Sequence, residues 1–198
     1  MFLFYCYNEI LLVSVKITIV NGVIFLKIYL DTGVWIRLFE TSLDVHREKD
    51  KNAIGDILDE ICGTHEIISS LFQNNQLEGL KNSYTGNKQL AMIAAIAQCK
   101  QASGNTMHST PYHKYEFEQL MAKTGLQDNE DGHHIVIAWL NGVEYFITVD
   151  YSTILSKKSD IEEALQVIPI LPYFGTKDMK IVSPVMFARD VLRLSQWV

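Results

Sequence analysis

The sequence predicts an α/β fold of three layers, a central parallel sheet of about five strands between helices, and three observations predict it. Short apolar, β-branched runs alternate with longer segments of helical periodicity. The 198 residues are 48% hydrophobic and 20% charged, which suits one compact domain with a sizeable core. Two of the apolar runs, Lys27-Ile28-Tyr29-Leu30 and Tyr145-Phe146-Ile147-Thr148-Val149, end in aspartate, at Asp31 and Asp150. In an open parallel sheet, ligands bind outside such carboxyl ends.

The elements follow in order. Ile24 to Leu30 reads as a complete first strand, and Val34 to Phe39 as a short helix or turn. Asp44 to Cys62 is a helix, with Ile54, Ile57, Leu58 and Ile61 at helical spacing and Gly63 closing it. Glu66 to Ser69 is a second strand, and Ser70 caps a helix from Leu71 to Lys81. Lys88 to Lys100 is a core helix, and Gln101 to Pro111 a polar loop. A helix from Tyr112 to Lys123 ends at Gly125, and an apolar helix from Asp131 to Asn141 ends at Gly142. After the strand Tyr145 to Val149 comes a helix from Asp160 to Val167, with Ser159 as its cap. Pro169 to Lys180 reads as loop, Ile181 to Ser183 as the last strand, and Pro184 to Leu194 as a terminal helix started by Ser183 and Pro184.

Residues 1–30 are unusually apolar, but no uninterrupted stretch reaches the roughly 20 residues of a membrane span. A secretory signal is not expected, since no basic residue precedes Lys16 and Glu9 sits early. Extra β-structure, a weak anchor, or a segment upstream of the true start all fit. The last is preferred, because residues 24–31 already complete a strand. The expected organisation is an apolar extension over 1–23 and one domain over 24–198.

The formal net charge of −6 argues against a broad phosphate-binding surface, though acids that hold a metal also lower the charge. Basic residues recur at Lys157, Lys158, Lys177, Lys180, Arg189 and Arg193; a solvated face is preferred over a groove flank. Cys6, Cys62 and Cys99 lie far apart, as expected of reduced thiols in a cytoplasmic protein, and with the histidines they form no zinc motif.

Asp131 joins Asp31 and Asp150 as the candidate chemistry. Clustered carboxylates either hold a proton or surround a cation, and oxygen ligands suit Mg²⁺ or Mn²⁺. Taken singly each has a plain structural reading, as a strand end or a helix cap; taken together they favour a site. His133 and His134 are expected to pack or hydrogen-bond, and Asp128, Glu130 and Glu144 to be solvated, with Asp128 able to extend the acidic mouth.

These residues resemble the PIN-domain ribonucleases. Lys27-Ile28-Tyr29-Leu30-Asp31-Thr32 is similar to the family's opening strand, and Asp131-Gly132-His133-His134 to its Asp-x-x-His helix start. Thr148-Val149-Asp150 is similar to its Thr-x-Asp strand end, and Ile181 to Phe187 to its closing strand and helix start. The match spans about residues 24–194. The resemblance implies a PIN-like fold and a Mg²⁺- or Mn²⁺-dependent endoribonuclease that leaves 3′-hydroxyl and 5′-phosphate ends. Such proteins are often the toxin of a toxin–antitoxin pair, with an antitoxin protein as partner, and are commonly homodimers. By the same resemblance Asp31, Asp131 and Asp150 are the catalytic, metal-binding acids, and the hydroxyls of Thr32 and Thr148 orient them. One departure stands out. The acid usually found on the helix after the second strand is replaced by Asn75 or Gln76; Glu78 lies nearly a turn further on and substitutes only if the helix shifts. Losing a negative ligand weakens metal binding, so a catalytically impaired PIN-fold binding module is the alternative. An aspartate-nucleophile phosphatase is less favoured, because Gly33 occupies the place of its second acid.

Overall fold

In the computed structural model the described residues are 19–20, 23–41, 44–62, 64–104, 107–108, 113–169 and 178–197. Short strands β1 (Ile19–Val20) and β2 (Val23–Ile24) form an antiparallel ribbon. The main sheet begins with β3 (Lys27–Leu30), which runs into helix α1 (Thr32–Phe39) and then α2 (Val45–Ile61). Next come β4 (Glu66–Ser70), α3 (Leu71–Ser83), α4 (Gly86–Ala102) and β5 (Met107–His108). The second half supplies α5 (Lys114–Thr124), α6 (Asn129–Leu140), β6 (Tyr145–Ile147), α7 (Lys158–Val167), β7 (Lys180–Val182) and α8 (Pro184–Met186).

Every neighbour in the order β5-β4-β3-β6-β7 is parallel. The expectation of about five strands needs correcting. Four strands, β4, β3, β6 and β7, make the body of the sheet, and β5 only extends its edge through a two-residue pairing at Ser69–Ser70. The chain leaves β3 toward β4 and leaves β6 toward β7, so strand order reverses between β3 and β6. This is the switch point at which parallel sheets place ligands.

Alternation along β3 divides the core. Tyr29 packs with Phe146, Ile135, Trp139 and Ile161 under α5, α6 and α7. Ile28 and Leu30 point the other way, to Trp35, Ile54, Ile57 and Ile96 under α1, α2 and α4. Helices on both faces make three layers, and they explain why the strands are apolar on both sides. Among the described residues no helix is long and apolar enough to cross a membrane.

Several boundaries differ from expectation for identifiable reasons. Helix α6 begins two residues early because Asp128 caps it by accepting from the Glu130 N–H at 2.8 Å. Helix α7 begins at Lys158, so Ser159 lies inside it. The terminal helix is α-helical only over α8; a π turn over Phe187–Val191 follows, and Arg193 has φ 55°. The first sheet strand starts at Lys27, and α4 continues to Ala102 into the expected loop. Cys6, Gly63, Lys177 and all but two residues of 1–20 lie outside the described residues; Cys62 and Cys99 are free thiols.

Candidate functional site

The site grows from the ends of β3 and β6. The Asp31 N–H bonds the Ile147 carbonyl at 2.9 Å, tying the two carboxyl ends together. Asp31 is only 7% exposed. Its Oδ1 accepts from the Thr32 N–H at 2.7 Å, and its Oδ2 accepts from the Thr148 hydroxyl at 3.0 Å. Thr148, fully buried, also accepts from the Asp150 N–H at 3.1 Å. One hydroxyl thus sets the position of both acids. Thr32 orients Asp31 through its backbone, not through the expected hydroxyl, which lies 3.3 Å from His134 Nε2.

Asp150 opens a tight loop. Its Oδ1 accepts from the Ser152 N–H and hydroxyl and the Thr153 N–H at 2.8–3.0 Å. Among the described residues its Oδ2 accepts no hydrogen bond.

Asp131 sits in the first turn of α6, where the helix dipole favours an acid. Its carboxyl accepts no hydrogen bond among the described residues. Burial first, and then the charges of Asp31, Asp128, Asp150 and Glu130, push its pKa up to about 7. The helix end does not offset four neighbouring acids. The three predicted aspartates are therefore close enough to feel one another, and Asp131 carries the uncompensated charge.

A buried hydrogen-bond chain stands beneath them. His134 is 1% exposed. Its Nδ1 lies 2.8 Å from the Tyr29 hydroxyl, and its Nε2 lies 2.9 Å from Gln76 Oε1. An amide oxygen only accepts, so Nε2 carries the proton and Tyr29 donates to Nδ1. Tyr29 then accepts from Ser70 at 3.1 Å, and Ser70 accepts from the Gln73 N–H. Burial holds the His134 imidazole pKa below its usual value, in keeping with this neutral tautomer. Gln76 donates in turn to Glu130 at 2.5 Å.

This chain settles which amide faces the site. Gln76 does; Asn75 is exposed. Glu78 does not join the acids. It pairs with Lys81, and with Lys100 at 4.0 Å, because a residue two past Gln76 points to another face of the helix. Glu130 and Glu144 are also engaged, Glu144 by accepting from the Lys27 N–H at 3.0 Å. His133 stacks on Phe117, ring centres 4.1 Å apart, and lies 3.0 Å from His113. Of the basic residues, Lys158 and Lys180 pair with Glu162, and Arg189 with Asp190. Lys157 instead reaches back to the end of α5. Gln73, which donates to the Leu30 carbonyl at 2.6 Å, had no sequence signal beyond its place three residues after the cap.

Among the described residues no three His, Cys, Asp or Glu side chains form a ready cage for an ion. Mg²⁺ asks for less, one or two carboxylates with waters completing the shell. The donor chemistry fits such an ion: hard carboxylate oxygens, with spare acceptor sites on Asp131 and on Asp150 Oδ2. No protein-family model, curated protein or solved structure matches the chain.

Proposed function

We propose that the chain is a divalent-metal-dependent endoribonuclease of PIN type, with Asp31, Asp131 and Asp150 at its centre. What carries the reading is the pair Asp31 and Asp150, joined through Thr148 at the switch point between β3 and β6, with the half-buried Asp131 near enough to feel their charges and no donor to balance its own. Such a carboxylate calls for a cation or a proton.

Asp131 and Asp150 would hold Mg²⁺ or Mn²⁺, with Asp31 fixed beside them by Thr32 and Thr148. When bound, the ion supplies Lewis-acid polarisation of a phosphate oxygen and a more acidic water. The protein's own part is placement. Thr148 spaces the two strand-end acids, and the Asp150 loop exposes one oxygen. The neutral His134–Tyr29–Ser70 chain fixes the floor without adding charge.

A second reading, an impaired PIN-type binding module, draws on Gln76. Its amide is committed to His134 and Glu130, where a fourth acid is expected from the resemblance. One experiment separates the two. Mn²⁺ is titrated by calorimetry into wild type and Asp131→Asn, and both are incubated with a labelled single-stranded RNA. The nuclease reading expects binding and cleavage in wild type and loss of both in the variant. Metal binding without cleavage supports the module. Absence of both in wild type overturns the metal site itself.

A further inference from the structure

A cleft of about 440 Å³ opens beside the acids, lined by Gln127, Asp128, Ser152, Thr153 and Lys157. That volume lies within the range of about 300–1,000 Å³ usual for small-ligand sites. It shares its walls with the site framework. Ser152 and Thr153 are the residues that bond Asp150, and Asp128 caps the helix carrying Asp131.

Lys157 is the cation of this cleft. Its Nζ donates to the carbonyls of Thr124 and Gly125 at 2.8 and 2.6 Å, at the C-terminal end of α5. An ammonium has three donors, so one remains unused among the described residues. A lysine normally loses much rotamer freedom on meeting a ligand; this one is already held. Around it stand one carboxylate, one amide and two hydroxyls. A bare anion would meet the Asp128 charge, and an apolar ligand would leave the spare Lys157 donor and the Gln127 amide unmatched. A ligand that carries a phosphate and several hydroxyls matches them.

We propose that this cleft seats the ribonucleotide unit flanking the scissile phosphate. Lys157 meets its phosphate, and Asp128, Gln127, Ser152 and Thr153 meet its ribose hydroxyls and base edge. The inference rests on the ribonuclease reading and extends it to substrate placement.

The test measures binding of a fluorescein-labelled single-stranded oligoribonucleotide by anisotropy in EDTA, then its cleavage with Mn²⁺. Wild type, Lys157→Gln and Lys157→Arg are compared. The expected result is roughly tenfold weaker RNA binding for Lys157→Gln, with a salt slope shallower by about 0.7, as for one lost single-strand phosphate contact. Lys157→Gln also raises KM with kcat little changed and leaves Mn²⁺ affinity intact, and Lys157→Arg restores both RNA binding and KM. If Lys157→Gln loses its fold, the double variant Gln127→Ala/Thr153→Val tests the same cleft with Lys157 in place. Equal RNA affinity in folded variants and wild type overturns the cleft and leaves the nuclease reading standing. Weakened binding without any cleavage by wild type keeps the cleft and overturns the catalysis. No RNA binding by wild type overturns both.

Discussion

At the scale of single residues, the site is a problem of uncompensated charge, and Asp131 bears it. Its folded pKa, about 7, lies above the ordinary carboxylate value of 3.8. A raised pKa stabilises the fold relative to the unfolded chain at low pH, and that contribution is lost as pH climbs through the folded value. Without metal, Asp131→Asn is therefore expected to melt higher than wild type at pH 8, with the gap closing toward pH 4; scanning calorimetry at both pH values checks it. The same proton competes with metal. Mn²⁺ affinity is expected to rise up to about tenfold per pH unit below 7 and to level off above it, read by titration calorimetry across pH 5.5–8.5. Thr148 makes the complementary prediction. Thr148→Val keeps the shape but removes a donor to Asp31 and an acceptor for the Asp150 N–H, both at a fully buried position. A loss of about 1–3 kcal/mol in urea denaturation is expected, together with weaker metal binding.

At the scale of elements, the packing of α5 on α6 turns on Gly132. A Cβ there would stand 2.6 Å from Met121 Sδ and 2.8 Å from Phe117 Cε2. The methionine can swing away, but Phe117 is stacked flat on His133 at 4.1 Å. Alanine raises helix propensity by nearly 1 kcal/mol. The overlap outweighs that gain, so Gly132→Ala is expected to destabilise by about 1–2 kcal/mol and lower the melting temperature by several degrees. The elements themselves were largely legible. The strand end at Leu30, the Ser70 cap and the Gly125 and Gly142 stops all carry local signals that the structure uses, whereas the strand expected to run from Tyr145 to Val149 ends at Ile147. In the sequence the cap of α6 reads as Asp131 instead of Asp128, because two acids three residues apart offer equally good caps, and only the side-chain geometry chooses between them. The two-residue pairing of β5 and the π turn after α8 depend on tertiary contacts and leave no period to read. At the site, Asp31 and Asp150 could be found from strand ends and Asp131 from a helix start. The partners of Gln76, the role of Gln73 and the Lys157 cleft could not, because their meaning comes from groups over 30 residues away, such as Glu130 at 54 and Thr124 at 33.

At the scale of the whole molecule, one sheet serves two cores. Tyr29 and Phe146 stack 5.4 Å apart on one face, and Ile28 and Leu30 fill the other. Phe146→Ala empties a fully buried position and is expected to cost about 3–5 kcal/mol. Because β3 belongs to both cores, the loss should appear as one shifted transition, with far-ultraviolet circular dichroism and tryptophan fluorescence coincident. Two separated transitions would show that the faces unfold apart.

The pairing of β3 with β6 has a further consequence, for the moment of birth. Asp31 meets Thr148 across 117 residues of chain. Synthesis proceeds at about 5–20 residues per second, so Asp31 waits several seconds for its partner to be made. The ribosome must then travel past residue 150 before the acids can gather. A nascent chain arrested earlier holds Asp31 but has neither Thr148 to position it nor Asp150 beside it. Whatever the three aspartates do, they can begin only once translation has passed residue 150.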